Sequence, residues 1–248
     1  MSSVRNYLAA QGFVPISAAG WRIYLAPILI PHQRNFVQAL ATTASGLAPG
    51  AGNRRGALPL RLEGLPPMYL RHNRRGGLMA RLIDDVYVGL RPRPWRELEI
   101  SLRARERGVA VVEPLAAALT WLGPGLYRGW LVTRALAGVT LWQWLGQEAD
   151  SPRRARALLG ARTAIERAQW AGLFHPDLNL QNLMVEETQS EFSFTLLDLD
   201  KARLYDAPLG ASRQAAVWRR VARSARKLEQ AGGMRAAEIA ILLGKSAR

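Results

Sequence analysis

The residues best suited to chemistry lie late in the chain, in the segment 175–182 with sequence HPDLNLQN. An apolar run follows, and two further carboxylates, Asp198 and Asp200, lie in the sequence LLDLD. Phosphoryl transfer needs one carboxylate to accept the proton of an acceptor hydroxyl, and an Asn with a second carboxylate to hold Mg²⁺ on the phosphates. Asp and Asn supply the hard oxygen ligands that Mg²⁺ prefers. The pattern H-x-D-L-x-x-x-N followed by two spaced Asp residues therefore predicts a phosphotransfer site.

Two strands must position these groups. Residues 183–185 are apolar and predict a strand after Asn182, and residues 192–197 predict a second strand before Asp198. The returning strand would bring Asn182 and Asp198 together at one edge of a cleft. The alternative interpretation is a solvated Asp/Asn loop beside a buried His175, which the complete spacing disfavours.

The rest of the chain changes in character at Arg134. Before it we predict short strands and turns with one helix, Pro94–Arg107, and after it mainly helices. The earlier strands are predicted at Ala57–Glu63, Met68–His72, Leu115–Trp121 and Tyr127–Thr133. The later helices are predicted at Leu141–Gln147, 151 to about 172, Ser212–Gln230 and Ala236–Leu243. Ser151 is the expected N-cap before Pro152, and residues 1–43 carry no motif.

Composition and charge limit the partners. The chain has 248 residues, 49% of them hydrophobic and 21% charged, which fits one large globular domain or two lobes. Because it has no Cys, disulfides, thiol nucleophiles and thiolate metal sites are excluded. A net charge of +15 predicts an anionic partner, either nucleic acid, a phosphorylated molecule or a membrane surface. We find no transmembrane segment or signal peptide pattern and expect a soluble cytoplasmic protein.

Four segments resemble a known family when taken in order. YLRHNRRGGL at 69–78, RPWRELEI at 93–100, HPDLNLQN and LDLDK at 197–201 are similar to motifs of the 3-deoxy-D-manno-octulosonic acid (Kdo) kinases. These form the lipopolysaccharide kinase branch of the protein-kinase-like superfamily. The resemblance implies an α+β, bilobal protein-kinase-like fold. Residues 1–134 would form a β-rich N-lobe that includes helix C, and residues 135–248 would form a mainly helical C-lobe. The resemblance also implies a hinge near 133–138, with adenine bound beside it.

The resemblance assigns roles in the second lobe. Asp177 occupies the position of the catalytic base, and Asn182 and Asp198 occupy the positions of the metal ligands. His175 is expected to be a buried support for the loop rather than the base. Asp200 stands where protein kinases have the DFG glycine, and two roles remain open for it: binding metal or steering Lys201, or capping a turn.

In the first lobe the family pattern is modified. Kinases place a Lys on the third strand, paired with a helix-C Glu, to hold the ATP phosphates, but no Lys precedes Lys201 in this chain. Arg71 is the expected substitute and Glu97 its partner, although a solvated Glu97 is the alternative. Gly52 and Gly56 are candidates for cradling phosphate, with an ordinary flexible loop as the competing interpretation.

The resemblance also implies an acceptor and a location. Arg74, Arg75 and Lys201 are candidates for binding an acidic acceptor, although a surface charge run is the alternative for the two arginines. The implied activity is ATP- and Mg²⁺-dependent phosphorylation of a hydroxyl, the 4-OH, of Kdo on lipid A by a peripheral enzyme at the cytoplasmic face of the inner membrane. A heptose kinase of the lipopolysaccharide core, a small RNA-associated protein kinase and a non-catalytic basic RNA-binding or scaffold module are the alternatives. DNA is not expected as a partner, and RNA is disfavoured.

Overall fold

The computed structural model describes residues 2–45, 57–72, 86–89, 91–188 and 191–244. Its contacts divide the chain into two compact units. The first unit comprises Met1–Leu102 and Glu113–Ala135, and the second comprises Arg103–Val112 and Leu136–Arg248. The second division, after Ala135, therefore falls inside the segment 133–138.

The first unit is built on one antiparallel sheet that has seven strands within the described residues. The strands are β1 (Val14–Ala18), β2 (Trp21–Leu25), β3 (Ala57–Leu60), β4 (Met68–His72), β5 (Tyr87–Val88), β6 (Pro114–Gly123) and β7 (Leu126–Arg134). They pair in the order β1-β2-β6-β7-β4-β3, and β5 pairs with β7. Strand β6 begins with the apolar run PLAAAL, in which every residue is buried. Such a run is typical of a strand that is covered on both faces.

Three α-helices accompany this sheet in the described part of the N-terminal sequence, so the prediction of one helix before Arg134 was wrong. They are α1 (Ser2–Ala10), α2 (Gln33–Ser45), which follows a 3₁₀ helix at Pro27–His32, and α3 (Arg93–Glu106). Helix α1 buries Leu8, and α2 buries Phe36 and Leu40, all in the hydrophobic core of the unit. With only one or two buried residues in each of these helices, the hydrophobic periodicity of the sequence is weak. Packing against the rest of the unit, and not the helix propensity of the residues, stabilises such short helices.

The second unit contains four further helices and five short strands among the described residues. The helices are α4 (Leu141–Gln147), α5 (Ser151–Trp170), α6 (Ala211–Gln230) and α7 (Ala236–Leu243). The strands are β8 (Val139–Thr140), β9 (Leu173–Phe174), β10 (Leu183–Glu187), β11 (Phe192–Leu196) and β12 (Arg203–Leu204). Strand β10 pairs with β11 and β8, and β9 pairs with β12, all antiparallel.

The start of α5 differs from the prediction by one residue. Asp150 is the N-cap, and Ser151 is the first helical residue, so the expectation that Ser151 caps the helix was wrong. Pro152 then takes the second helical position, where a missing N–H breaks no intrahelical hydrogen bond.

Within the described residues, no helix is both long enough and apolar enough to span a membrane.

A buried ion pair joins three helices of the second unit. Arg154 on α5 donates from Nε and Nη2 to the two carboxylate oxygens of Glu238 on α7, at 2.7 and 2.9 Å. Its remaining donors reach backbone carbonyls, including those of Leu145 on α4 and Gly233. Burial acts to raise the pKa of Glu238, but hydrogen bonds from Arg154 and Arg235 outweigh it and lower the pKa to about 2. Glu238 is therefore ionised at neutral pH.

Candidate active site

The hairpin of β10 and β11 brings two of the predicted metal ligands to the same end. Leu183 pairs with Leu196 in its antiparallel register, and one step further the Leu197 amide donates to the carbonyl of Asn182 at 2.9 Å. Asn182 therefore enters the hairpin directly opposite the point where the chain leaves it. Asp198 is the next residue, so the hairpin register positions both residues.

The backbone of Asp198 has an uncommon conformation. Its φ is +58°, in the left-handed region that few residues other than Gly adopt, and its side chain is exposed. Asp tolerates this region better than most residues, and backbone strain of this kind clusters at functional sites. The chain then forms a turn in which the Ala202 amide donates to the carbonyl of Leu199 at 2.9 Å. Asp200 and Lys201 are the two central residues of that turn.

The loop before β10 is held by its own side chains. Asn179 and Asn182 each donate from Nδ2 to the backbone carbonyl of Asp177, at 2.9 and 3.1 Å. Asn179 also accepts from the amide of Gln181 at 2.8 Å through Oδ1. Because Asn182 uses Nδ2 for the loop and its Oδ1 accepts no hydrogen bond from the described residues, that oxygen is available as a metal ligand.

His175 connects this loop to the hairpin. Its side chain is 2% exposed, and Nε2 lies 2.9 Å from the carbonyl of Leu197. Burial lowers the pKa of His175, although the hydrogen bond to Leu197 and the charges of Asp198 and Asp177 act to raise it. The imidazole is therefore neutral at physiological pH and donates from Nε2. This geometry suits a positioning residue and not a base that meets substrate.

The carboxylate of Asp177 lies between two cations. Lys201 Nζ donates to Oδ2 and Arg220 Nη2 donates to Oδ1, both at 2.8 Å. Burial acts to raise the pKa of Asp177, but the hydrogen bond and charge of Lys201, together with the charge of Arg220, hold it below its usual value. Asp177 is consequently ionised at neutral pH, as a residue that accepts a proton must be.

Arg220 was not identified from the sequence. It lies on α6, whose buried Ser224 accepts from the backbone amide of Leu180 at 3.2 Å. Arg220 is four residues before Ser224, and residues four apart share a helix face. The contact of Ser224 with Leu180 therefore places Arg220 beside Asp177. Six cations are spread along α6, and nothing local distinguishes Arg220 from the others. The one sequence signal is the position of Ser224 on the apolar face of the helix.

The first unit contains the predicted cation and its partner. Arg71 on β4 donates to Glu97 on α3. The side chain of Glu97 is 2% exposed and that of Arg71 is 25% exposed. In the sheet, Arg71 is paired with Leu131 of β7 on one side and with Ala57 of β3 on the other. Both neighbouring strands therefore hold its backbone in place. The pair joins the sheet to the helix, as a Lys–Glu pair does in kinases.

Several predicted residues lie outside the described part of the chain. They are Gly52, Gly56, Arg74 and Arg75. Among the described residues, no group of three or more His, Asp or Glu side chains could hold a metal ion. Mg²⁺ does not require such a group, because it is usually bound by one or two protein ligands together with phosphates and water. The donor set of Asn182 Oδ1 and the exposed Asp198 carboxylate fits that mode.

Comparisons with known proteins identify the family of the chain. The model of the Lipopolysaccharide kinase (Kdo/WaaP) family matches residues 48–211. A 3-deoxy-D-manno-octulosonic acid kinase of Photobacterium profundum is 33% identical over 138 residues, which are 54% of this chain and 56% of that protein. The corresponding kinase of Actinobacillus succinogenes is 30% identical over 135 residues, 53% of this chain and 55% of the relative. The chain thus spans about half the length of the curated relatives it matches.

A solved structure matches nearly the whole chain. The structure of WaaP in complex with acyl carrier protein aligns with a TM-score of 0.52 and 16% identity, covering 96% of this chain and 79% of that chain. A likeness at this identity concerns the fold alone. It confirms the α+β, protein-kinase-like fold that was predicted from the sequence.

Proposed function

Because the chain belongs to the lipopolysaccharide kinase (Kdo/WaaP) family, we propose that it transfers the γ-phosphoryl group of ATP to a hydroxyl of a Kdo residue on lipid A. The relatives named 3-deoxy-D-manno-octulosonic acid kinase support this acceptor, and the 4-hydroxyl is the proposed position. The observation that carries the proposal is the ionised Asp177, hydrogen-bonded to Lys201 and Arg220, next to the hairpin that carries Asn182 and Asp198.

The proposed chemistry follows from these side chains. Asp177 orients the acceptor hydroxyl and takes its proton while the hydroxyl oxygen bonds to the γ-phosphorus and the bond from that phosphorus to the ADP oxygen breaks. When bound with ATP, Mg²⁺ neutralises phosphate charge, and Asn182 Oδ1 and Asp198 are the groups that would hold it. Arg71, braced by Glu97, would bind the α- and β-phosphates through its guanidinium fork.

The test combines an acceptor screen with one substitution. The purified protein is incubated with labelled ATP, Mg²⁺ and each of three acceptors: Kdo–lipid A, heptosylated core and a generic protein substrate. The product is mapped by mass spectrometry. We expect transfer to Kdo–lipid A at the 4-hydroxyl. Transfer to heptose or to protein instead would identify one of the alternative kinases, and absence of any transfer or ATP binding would favour the non-catalytic module.

Asp177→Asn removes the base while keeping its shape. We expect kcat to fall by about 10²- to 10⁴-fold, with the KM for ATP little changed, because Asn accepts a hydrogen bond but takes no proton. Asp150→Asn is the matched control, since Asp150 is an exposed carboxylate of the same unit and its side chain makes no capping hydrogen bond. Turnover by Asp177→Asn at the wild-type rate would contradict the assignment.

We also propose that the protein associates peripherally with the cytoplasmic face of the inner membrane. Arg219, Arg223, Arg226 and Lys227 follow one exposed face of α6 and line a common groove. Within the described residues none of these four cations pairs with a carboxylate. Each cation near an anionic bilayer contributes about 1 kcal/mol of attraction, so this basic face supports electrostatic binding to anionic lipid.

Vesicle sedimentation tests this association. Vesicles with about 30% phosphatidylglycerol should retain the wild-type protein at low salt, and neutral vesicles should not. Neutralising two cations, as in Arg223→Gln/Arg226→Gln, should weaken binding roughly 30-fold. Equal binding to both vesicle types, or to both protein forms, would contradict the proposal.

A further inference from the structure

Asp177 is paired with more positive charge than an ionised carboxylate requires. Lys201 comes from the turn after β11 and Arg220 comes from α6, and each occupies a different oxygen of the carboxylate. One such cation is enough to keep an Asp ionised at neutral pH. The second cation therefore calls for a role beyond maintaining the charge of the base.

Both cations retain unused donors on an accessible surface. The side chain of Lys201 is 58% exposed and that of Arg220 is 47% exposed. Apart from their contacts with Asp177, neither side chain donates a hydrogen bond within the described part of the chain. A guanidinium has five N–H donors and an ammonium has three, so most of this donor capacity is open to a ligand.

From this arrangement we infer that Arg220 and Lys201 form a subsite for a carboxylate on the acceptor sugar, an inference that rests on the proposed function. A hydroxyl activated by Asp177 lies within about 3 Å of its carboxylate, and both cationic nitrogens are 2.8 Å from the same carboxylate. An anionic group a few bonds from that hydroxyl is therefore within reach of both cations. An ulosonic acid carries such a carboxylate on the reacting sugar itself, whereas a neutral heptose does not.

The guanidinium of Arg220 suits this ligand. Its planar fork matches the two oxygens of a carboxylate, and charged hydrogen bonds of this kind are stronger than neutral ones. Because Nη2 is already fixed by Asp177, binding the acceptor costs little additional side-chain entropy. Arg220 thereby selects an acidic acceptor and holds it beside the base.

The experiment uses two soluble acceptors, a Kdo glycoside and its methyl ester, which lacks the negative charge. The ratio of kcat/KM for the two is measured for the wild-type protein, Arg220→Ala, Arg220→Lys and the control Arg156→Ala. Arg156 is an exposed cation on α5 of the same unit, and it lies outside the proposed machinery. The KM for ATP and the slow hydrolysis of ATP without acceptor are recorded for every form.

We expect the wild-type protein to prefer the acid, and Arg220→Ala to lose roughly 10- to 100-fold in the ratio of kcat/KM for the acid to kcat/KM for the ester. Because Arg220 also contacts Asp177, the loss with the ester measures the effect on the base, and the loss with the acid should exceed it by that factor. Arg220→Lys should recover part of the preference, and Arg156→Ala should behave as wild type. Lys201 still pairs with Asp177 in Arg220→Ala, so the base remains ionised.

Several results would overturn the inference. An equal loss with acid and ester, or a raised KM for ATP, would assign Arg220 to the nucleotide or to the base instead of the acceptor carboxylate. Equal use of acid and ester by the wild-type protein would show that the carboxylate of the acceptor is not recognised. That result would overturn the inference while leaving the proposed function intact. Phosphorylation of neither acceptor by the wild-type protein would refute the proposed function itself and the subsite with it.

Discussion

Replacing Glu238 by Gln measures what the buried ion pair contributes to the second unit. The pKa of this carboxyl falls from 4.5 to about 2 in the folded chain. At about 1.4 kcal/mol for each pKa unit, the shift corresponds to roughly 3 kcal/mol. Arg235 is 60% exposed, and solvent screens its share of the interaction, so we expect Glu238→Gln to lose about 2 kcal/mol of unfolding free energy at neutral pH.

The pH dependence of this loss has a defined sign. Because the folded pKa of Glu238 lies below its unfolded value, the stabilisation is complete above about pH 4.5 and is lost as the pH falls towards 2. Gln does not titrate, so the difference between wild type and variant should shrink over the same range. Roughly half of it or less should remain near pH 3.

Urea unfolding followed by circular dichroism provides the assay. Both proteins are unfolded at about pH 7 and about pH 3, and Glu229→Gln serves as the control, since Glu229 is a carboxylate of α6 that pairs with no cation among the described residues. An unfolding free energy of Glu238→Gln equal to that of the wild type at pH 7 would refute the reasoning. A difference of constant size down to pH 3 would refute the assignment to the ionised carboxylate.

Two further predictions concern the proposed reaction. Lys201→Met should move the acidic limb of the kcat/KM profile to higher pH, because removing the hydrogen bond and charge of Lys201 raises the pKa of Asp177; an unmoved limb in a pH–rate measurement would contradict this. Glu97→Gln should raise the KM for ATP about tenfold, because Arg71 loses its buried counter-charge. Glu99→Gln is the matched control, and equal KM values for the two variants in steady-state kinetics would disprove the role of Glu97.

Much of the fold follows from local patterns in the sequence. Strand β4 and helices α4 and α7 have the predicted bounds, and the bounds of α3, β6, β7 and β11 differ by a few residues. In these segments the hydrophobic period and the flanking Gly or Pro residues agree with each other. The helices α1 and α2 were missed because their few buried residues, such as Leu8 and Phe36, acquire meaning only when the sheet lies beside them.

The residues of the candidate site also differ in whether a local sequence pattern identifies them. Asp177, Asn182 and Asp198 were predicted because their mutual spacing is itself a motif, and the hairpin register brings Asn182 and Asp198 to the same end of the hairpin. Arg220 was missed because no spacing links it to the motif. Its approach to Asp177 depends on how α6 packs, which involves Ser224 and the backbone of Leu180. Contacts between elements distant in sequence leave no local pattern to read.

The backbone of Leu197 has a consequence for which substitutions this position can accept. The N–H of Leu197 donates to the carbonyl of Asn182 and its C=O accepts from His175, so the backbone of this residue, and not its side chain, joins the two segments of the candidate site. Substitutions at position 197 should be tolerated across most apolar residue types in a mutational scan. Proline is the exception, since it lacks the amide hydrogen and would remove the hydrogen bond to the carbonyl of Asn182 without altering Asn182 or Asp198.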